Sequence, residues 1–411
     1  MTTTADMVPA DLVVDLDVYD PTLAVPVDVM PEKITELADK GPVVFSTAHG
    51  GHWIVTHYKE IHEVLTDTET FSSYPNNLVT PADFGKFIPL ELDPPDHTSY
   101  RRVLQPLFSP QRMKKLGEDI RVVVNELIDK FAADGEAEFI SAFAHELPAR
   151  VFLALMDWPV EDAPLFSEAT DAILFGKPGG TEEESQQAIM AASLTVAGYF
   201  STVIADRRGK TGDDVTTTLV NTEVELPDGN RLLNDEELFR MFFLLLMGGL
   251  HTVQGSLAWS VVHLTKNPQQ RDAILADPSL IPKAVEEILR IEAAVIPGRR
   301  ATRDVLLGGV QIAKDDQLIT PLCAANWDAQ EFGNPEELDI ERHPNRHLSF
   351  GAGPHRCLGS HLGRIELVIA LEELHRRIPD YQLVDSDRPE FHATQVRGCK
   401  RMPITFTPEK N

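Results

Sequence analysis

The segment from Asn234 to Lys266 constrains the fold of this chain more than any other. Asn234 can cap a helix, Asp235, Glu236 and Glu237 complement its dipole, and Asn267-Pro268 ends it. At 1.5 Å per residue such a helix is about 50 Å long, enough to cross a whole domain. Its middle, Met241 to Leu250, is apolar on every side and must be buried, so the rest of the chain has to be built around it. That apolar run is too short to span a bilayer, and His251 and Thr252 end it.

Other elements are read more coarsely. The first forty residues read as irregular, with an N-terminal arm over about 1–30. Val43 to Phe45 and Trp53 to Val55 flank Gly50-Gly51 as a hairpin. Ser72 to Leu90, rich in Pro and Asn, reads as a long functional loop. Residues 96–266 are mostly helical, with breaks at Asp134-Gly135, Gly176 to Gly180 and Gly209 to Asp214. A helix from Ile281 to about Ala294, strand-like pieces from Arg300 to Leu322, a coil to His347 and a last helix from after Gly359 to near Pro379 complete the chain. Length alone allows two or three domains. With no repeat, linker or composition shift, one domain over 1–411, mainly α with small β-sheets, is the expectation.

Lys and Arg total 37 against 64 Asp and Glu, a net charge of −27. Such a chain repels nucleic acid and anionic membranes at long range. Three cysteines, Cys323, Cys357 and Cys399, argue against a disulfide scaffold and for a reducing compartment. Met1 to Asp20 has no Lys or Arg and is no signal peptide. A cytoplasmic monomer without nucleic-acid or membrane partners is expected.

The chemistry concentrates in Phe350-Gly351-Ala352-Gly353-Pro354-His355-Arg356-Cys357-Leu358-Gly359. Its glycines allow positive φ and close approach of the backbone to a flat ligand. Cys357 stands just before a helix, whose dipole and free N–H groups favour a thiolate over a thiol. A thiolate suits a haem iron as fifth ligand. A zinc site using Cys357 and His361 lacks two further ligands at plausible spacing, and no Cys-x-x-Cys-His exists for covalent haem attachment.

This loop resembles the haem-binding loop of the cytochrome P-450 family, soluble bacterial type, with Phe350, the second glycine Gly353, the basic residue, Cys357 and Gly359 in place. The resemblance implies the family's triangular, mainly helical haem domain and haem b as cofactor, with Cys357 as axial ligand of the iron. Glu287-Ile288-Leu289-Arg290 resembles the family's Glu-x-x-Arg pair, with Arg342 as third member of a buried triad. Asp93 to Arg102 resembles the start of the family's third helix. By resemblance His97, Arg101, Arg299 and His355 would hold the haem propionates, with Arg300 competing with Arg299. In the long helix, Gly248 and Gly249 match the segment that makes room for O₂, and Thr252 matches the proton-relaying threonine. His251 stands where the family has an acid. Its reference pKa of about 6.5 implies turnover that depends on pH between about 6 and 8 if it carries protons. A structural role for His251 is the alternative.

The pocket implied by the resemblance uses the loop Ser72 to Leu90, Phe175 to Gly180, Leu244, Met247, Gly248, Ala294, Val295, Ile296 and the turn at Thr394 to Val396. It is mostly apolar, as its substrate should be. The expected activity is insertion of one atom of O₂ into a small organic substrate. Electrons would come from an iron–sulfur ferredoxin and its NAD(P)H-dependent reductase, because no G-x-G-x-x-G follows a strand in this chain. Basic residues Arg102, Arg112, Lys114, Lys115 and Arg356 are the expected ferredoxin contacts. A peroxide-driven peroxygenase and a non-enzymatic haem- or ligand-binding protein are the alternatives.

Overall fold

A computed structural model describes residues 8–24, 29–78, 85–227, 229–384, 388–392 and 396–410. Thr394 and part of the Ser72–Leu90 loop lie outside the described residues. Fourteen α-helices are seen among those described. The first eight are α1 (Met30–Ala38), α2 (Tyr58–Thr66), α3 (Asp96–Leu104), α4 (Pro110–Asp129), α5 (Glu146–Met156), α6 (Ala163–Phe175), α7 (Glu182–Arg207) and α8 (Val215–Asn221). They are followed by α9 (Asp235–Gly249), α10 (His251–Lys266), α11 (Pro268–Ala276), α12 (Ile281–Ile291), α13 (Leu322–Asn326) and α14 (Ser360–Arg377).

The long helix expected from Asn234 starts as its sequence dictates. The Asn234 side chain accepts from the Glu237 N–H while Glu237 reaches back to the Asn234 N–H. It does not run unbroken to Lys266. The backbone departs from ideal helix at Leu250 (φ −90°, ψ −67°), directly after the two glycines, which pack poorly and hold a helix loosely. Beyond the break α10 is buried on nearly every side, from Val253 to Val262 and at Leu264. Burial of each of its large aliphatic side chains contributes about 1.5–3 kcal/mol. A Cβ on Gly255 would stand 3.0 Å from the Arg397 carbonyl oxygen, so glycine lets α10 lie directly on the backbone of strand Gly398–Arg401.

Three apolar clusters form the interior. One joins α10 to α4, α12 and α14, a second sits under the main sheet, and a third joins α3, α5 to α8 and α9. The main sheet has six strands in the order Val13–Val14, Val43–Ser46, His52–Val55, Gln317–Ile319, Gly298–Ala301 and Phe71–Ser72. The 43–55 hairpin forms as expected, with Phe45 opposite Trp53. In the sheet Leu318 pairs with Arg299, which fixes the side of the strand on which Arg299 emerges.

Several elements depart from the reading of the sequence. The first forty residues are not wholly irregular: Met30, Ile34 and Leu37 put one apolar face of α1 into the core. A hairpin of Glu223–Leu226 with Gly229–Leu232 interrupts the helical stretch. The last of the strand-like pieces, from Leu322, is the short helix α13. Among the described residues, two helical stretches are long and apolar enough to cross a membrane by composition. Residues 235–266 are the core helix, 67 % buried over the most apolar window, whereas α7 is only 17 % buried there.

Candidate active site

The cysteine loop is a tight series of turns. Gly351 N–H donates to Leu348 O at 2.7 Å, Cys357 N–H to Phe350 O at 2.8 Å, and Arg356 N–H to Gly353 O at 3.1 Å. Gly351 and Gly353 both have φ near +67°, which side chains resist. At Gly353 a Cβ would also meet the Leu65 carbonyl at 2.8 Å, whereas Cβ atoms on Gly351 and Gly359 would enter open space. Arg364 of α14 stacks on Phe350 at 4.2 Å and pairs with Glu286 of α12, which His347 also contacts at 3.1 Å. The loop is thus braced between α12 and α14.

Cys357 is exposed, unlike the buried Cys323 and Cys399. Even so, the protein around its sulfur desolvates the thiol and pushes its pKa up. The Gly359 N–H and the guanidinium groups of Arg101, Arg356 and Arg364 pull the other way without prevailing. This corrects the expectation that the helix start alone favours the thiolate; a bound cation would have to complete the charge.

The four residues assigned to the propionates come together. His97 lies in the first turn of α3, and its ring is 4.1 Å from that of His355. Arg299 and Arg101 both act electrostatically on these two imidazoles, and Arg101 also donates to the Arg356 carbonyl. Burial, then the neighbouring cations, lower His355 to about 2; burial and then Arg101 lower His97 to about 4. Arg299, 2 % exposed, is lowered to about 10 by burial. Both nitrogens of His97, Nε2 of His355 and Nε of Arg299 have no hydrogen-bond partner. Arg300 also has an unpartnered Nε, but adjacent residues of a strand face opposite sides and Arg299 is the one beside the imidazoles. Asp93, held by Ser72 Oγ and the Ser73 N–H, is a carboxylate that opposes this positive charge. Sequence reasoning quoted Asp93 but gave it no role. Leaving such donors unmatched costs about 1–3 kcal/mol each, which a dianionic ligand would recover. A porphyrin with two carboxylates, seated on an accessible sulfur against open glycines, fits this donor set.

The oxygen-side segment lies close to the loop. A Cβ on Gly363, in the first turn of α14, would stand 4.0 Å from Val253, the residue after Thr252. Met247 and Leu358 pack against the same apolar cluster. Within the buried long helix, Leu244, Met247, Gly249 and Thr252 are partly open and Gly248 is exposed, with open space where its Cβ would be. Thr252 Oγ1 donates to Gly248 O at 2.9 Å. Val295 is partly open and bridges to Val396, while Ile296 is fully buried under the sheet. Phe175 ends α6 and packs edge-on against His251 at 5.6 Å and His392 at 4.7 Å.

His251 itself is 2 % exposed, and burial above all lowers its pKa to about 4. Asp171 and Gln254 favour its cation, but neither lies in hydrogen-bond geometry with it. The pH 6–8 window expected from the reference value is therefore corrected downward. Asp171, His145 and His392, which surround His251, were not found in the sequence, because three separate elements deliver them.

The triad assigned from sequence closes around Glu287. Arg290 donates Nε and Nη2 to its carboxylate at 2.9 and 2.8 Å, and Arg342 donates Nε at 3.0 Å. The Asp339 N–H and Asn345 Nδ2 complete the shell at 3.1 Å. Arg290 also donates to the carbonyls of Asn326, Pro335 and Glu337, which ties the coil before the cysteine loop to α12.

Fold and donor set together fit a haem protein. Comparison with known proteins agrees. A family model described as Cytochrome P450 matches residues 169–377. The chain is 32 % identical over 375 residues to the probable cytochrome P450 127A1 of Sinorhizobium fredii, covering 90 % of this chain and 88 % of that protein. It is 33 % identical over 374 residues to a methyl-branched lipid omega-hydroxylase of Mycobacterium bovis, covering 88 % and 85 %. The crystal structure of CYP101J2 superposes with a TM-score of 0.87 at 30 % identity, covering 99 % of this chain and 100 % of that one. The chain belongs to the cytochrome P450 family. It is accordingly a monooxygenase, an oxidoreductase whose cofactor is haem.

Proposed function

We propose that this enzyme inserts one atom of O₂ into a small, mostly apolar organic substrate in the cytoplasm. The observation that carries the site assignment is exposed Cys357 beside buried His97 and Arg299 and half-buried His355, where both ring nitrogens of His97, Nε2 of His355 and Nε of Arg299 have no hydrogen-bond partner. In this reading Cys357 would hold haem b by its iron, and His97, Arg101, Arg299 and His355 would bind its propionates. When bound, the haem supplies the O₂-binding iron, and thiolate donation favours cleavage of the O–O bond. Phe350, Gly351 and Gly359 shape the loop, and Glu287, Arg290 and Arg342 hold the coil that positions it. Gly248 and Gly249 leave room on the oxygen side, and the Thr252 hydroxyl holds a proton there. Leu244, Met247, Val295 and Phe175 line the substrate pocket, with Ile296 as support from behind. The apolar lining and the lipid hydroxylase among the relatives favour a lipid-like substrate.

A ferredoxin with its NAD(P)H-dependent reductase supplies the electrons. Lys114 and Lys115 are exposed and available to an acidic partner, and Arg356 is exposed with a 3.4 Å hydrogen bond to Ser360 Oγ, while Arg102 pairs with Glu225 and Arg112 with the Asp213 carbonyl. Reconstitution with a ferredoxin, its reductase and a compound selected by its shift of the ferric spin state tests the proposal. Under ¹⁸O₂ the product should carry one labelled oxygen. Label arriving from water instead, or product without added oxygen, would contradict it.

A further inference from the structure

Oxygen insertion driven by O₂ takes up two electrons and two protons from outside, whereas the same insertion driven by hydrogen peroxide takes up neither. The O₂ reaction therefore needs a route for protons into a buried site, and this chain has a histidine where a carboxylate would serve. His251 adjoins Thr252 at the break in the long helix. Its ring is buried, and neither nitrogen has a hydrogen-bond partner. Nε2 stands 3.5 Å from Asp171 Oδ1 on α6, and that carboxylate also meets His145 Nε2 at 3.3 Å. Asp171 is the member of this group most open to water, with 46 % of its side chain exposed against 23 % for His145. Phe175 closes the side toward strand Glu390–His392, with Lys400 over its face at 4.7 Å. Beyond it, the charges of Lys400 and Arg397 act on His392.

We propose that Asp171 and His251 form the proton entry of this enzyme: the exposed carboxylate takes a proton from water and passes it to the His251 ring, which releases one toward Thr252. The inference rests on the reading of Thr252 as the hydroxyl on the oxygen side. Each transfer makes one N–H bond at the nitrogen facing Asp171 and breaks one at the other nitrogen, which leaves a neutral ring of the opposite tautomer; a ring flip or proton exchange restores the first tautomer before the second proton passes. A neutral imidazole is suited to this, being donor at one nitrogen and acceptor at the other. Thr252 Oγ1 already donates to Gly248 O, which leaves its oxygen lone pairs free to accept. Here the base is buried and the acid meets solvent.

The test uses the holoenzyme and its Asp171→Asn variant, a near-isosteric change at a half-exposed position. In the diamagnetic reduced, CO-bound protein, the His251 ring resonances should titrate about one unit lower in the variant, as loss of an adjacent carboxylate requires. O₂-driven product formation should fall at least about a hundredfold, the low end of what a positioned proton donor contributes. Peroxide-driven product formation should change less than twofold. Thr252→Ala is run alongside. If Thr252→Ala lowers O₂-driven product while Asp171→Asn changes neither that rate nor the His251 titration, the Asp171 entry is wrong and the reading of Thr252 stands. If Thr252→Ala leaves O₂-driven product at the parent rate, the reading of Thr252 itself fails. Equal losses with O₂ and peroxide in Asp171→Asn would mean a damaged site and would also overturn the proposal.

Discussion

Replacing Glu287 with Gln should be among the most damaging conservative changes in this chain. The Glu287 carboxylate is fully buried and accepts from five donors, two of them from Arg290, itself 0 % exposed. An amide keeps the shape but turns one oxygen into a donor that faces guanidinium N–H groups, and it removes the counter-charge of a buried cation. Breaking a buried pair from one side costs about 3–5 kcal/mol. Natural domains have only about 5–15 kcal/mol in total, so the loss would be a large share. Glu36→Gln is the matched control. Its partner Lys33 lies 2.8 Å away, but both side chains are exposed, and such pairs contribute about 0–1 kcal/mol. Urea unfolding followed by far-ultraviolet circular dichroism and by the Soret band measures both. The reasoning predicts a far larger shift for Glu287→Gln, with Soret loss preceding loss of helix, because Arg290 ties down the coil leading into the cysteine loop. Equal shifts of under about 1 kcal/mol in the two variants would refute it.

Arg299→Gln should weaken haem binding by roughly tenfold to a hundredfold, the equivalent of losing one charge-assisted bond to a propionate; haem titration of the apoprotein reads this, and unchanged affinity would remove Arg299 from the site. The His251 pKa of about 4 in the folded chain lies below its unfolded value of about 6.5. Between these values the unfolded chain binds more protons, so the stability from keeping His251 neutral is complete above pH 6.5 and is lost as pH falls toward 4. His251→Gln should therefore be less sensitive to acid than the parent by on the order of 2 kcal/mol between pH 7 and pH 5, seen as a smaller drop in urea midpoint over that range; parallel drops would contradict the burial argument.

What the sequence made legible was mostly contiguous. The cysteine loop, the capping box at Asn234 and the Glu287–Arg290 pair each carry their signal within a few residues, and the structure forms all of them. Arg342 was placed by its position in the coil and closes the triad as expected. Some signals were present but outweighed. Met30, Ile34 and Leu37 have helical spacing, yet the irregular residues around them masked α1. The break at Leu250 follows from paired glycines whose cost was visible, while its location depended on packing. The surroundings of His251 were out of reach, because Asp171, His145 and His392 meet only after α6, the turn before α5 and a late strand have packed. The downward shift of its pKa comes from burial, which no single-residue reference value contains.

Ligation of haem iron by the Cys357 thiolate is read by the absorption spectrum of the reduced, CO-bound protein, recorded beside Cys357→His and Cys323→Ala. The parent and Cys323→Ala should both show the strongly red-shifted Soret band of a thiolate-ligated haem, since Cys323 is buried in the core under the main sheet. Cys357→His should lose that band whether or not it retains haem. A Cys357→His protein that keeps the red-shifted band would contradict the account.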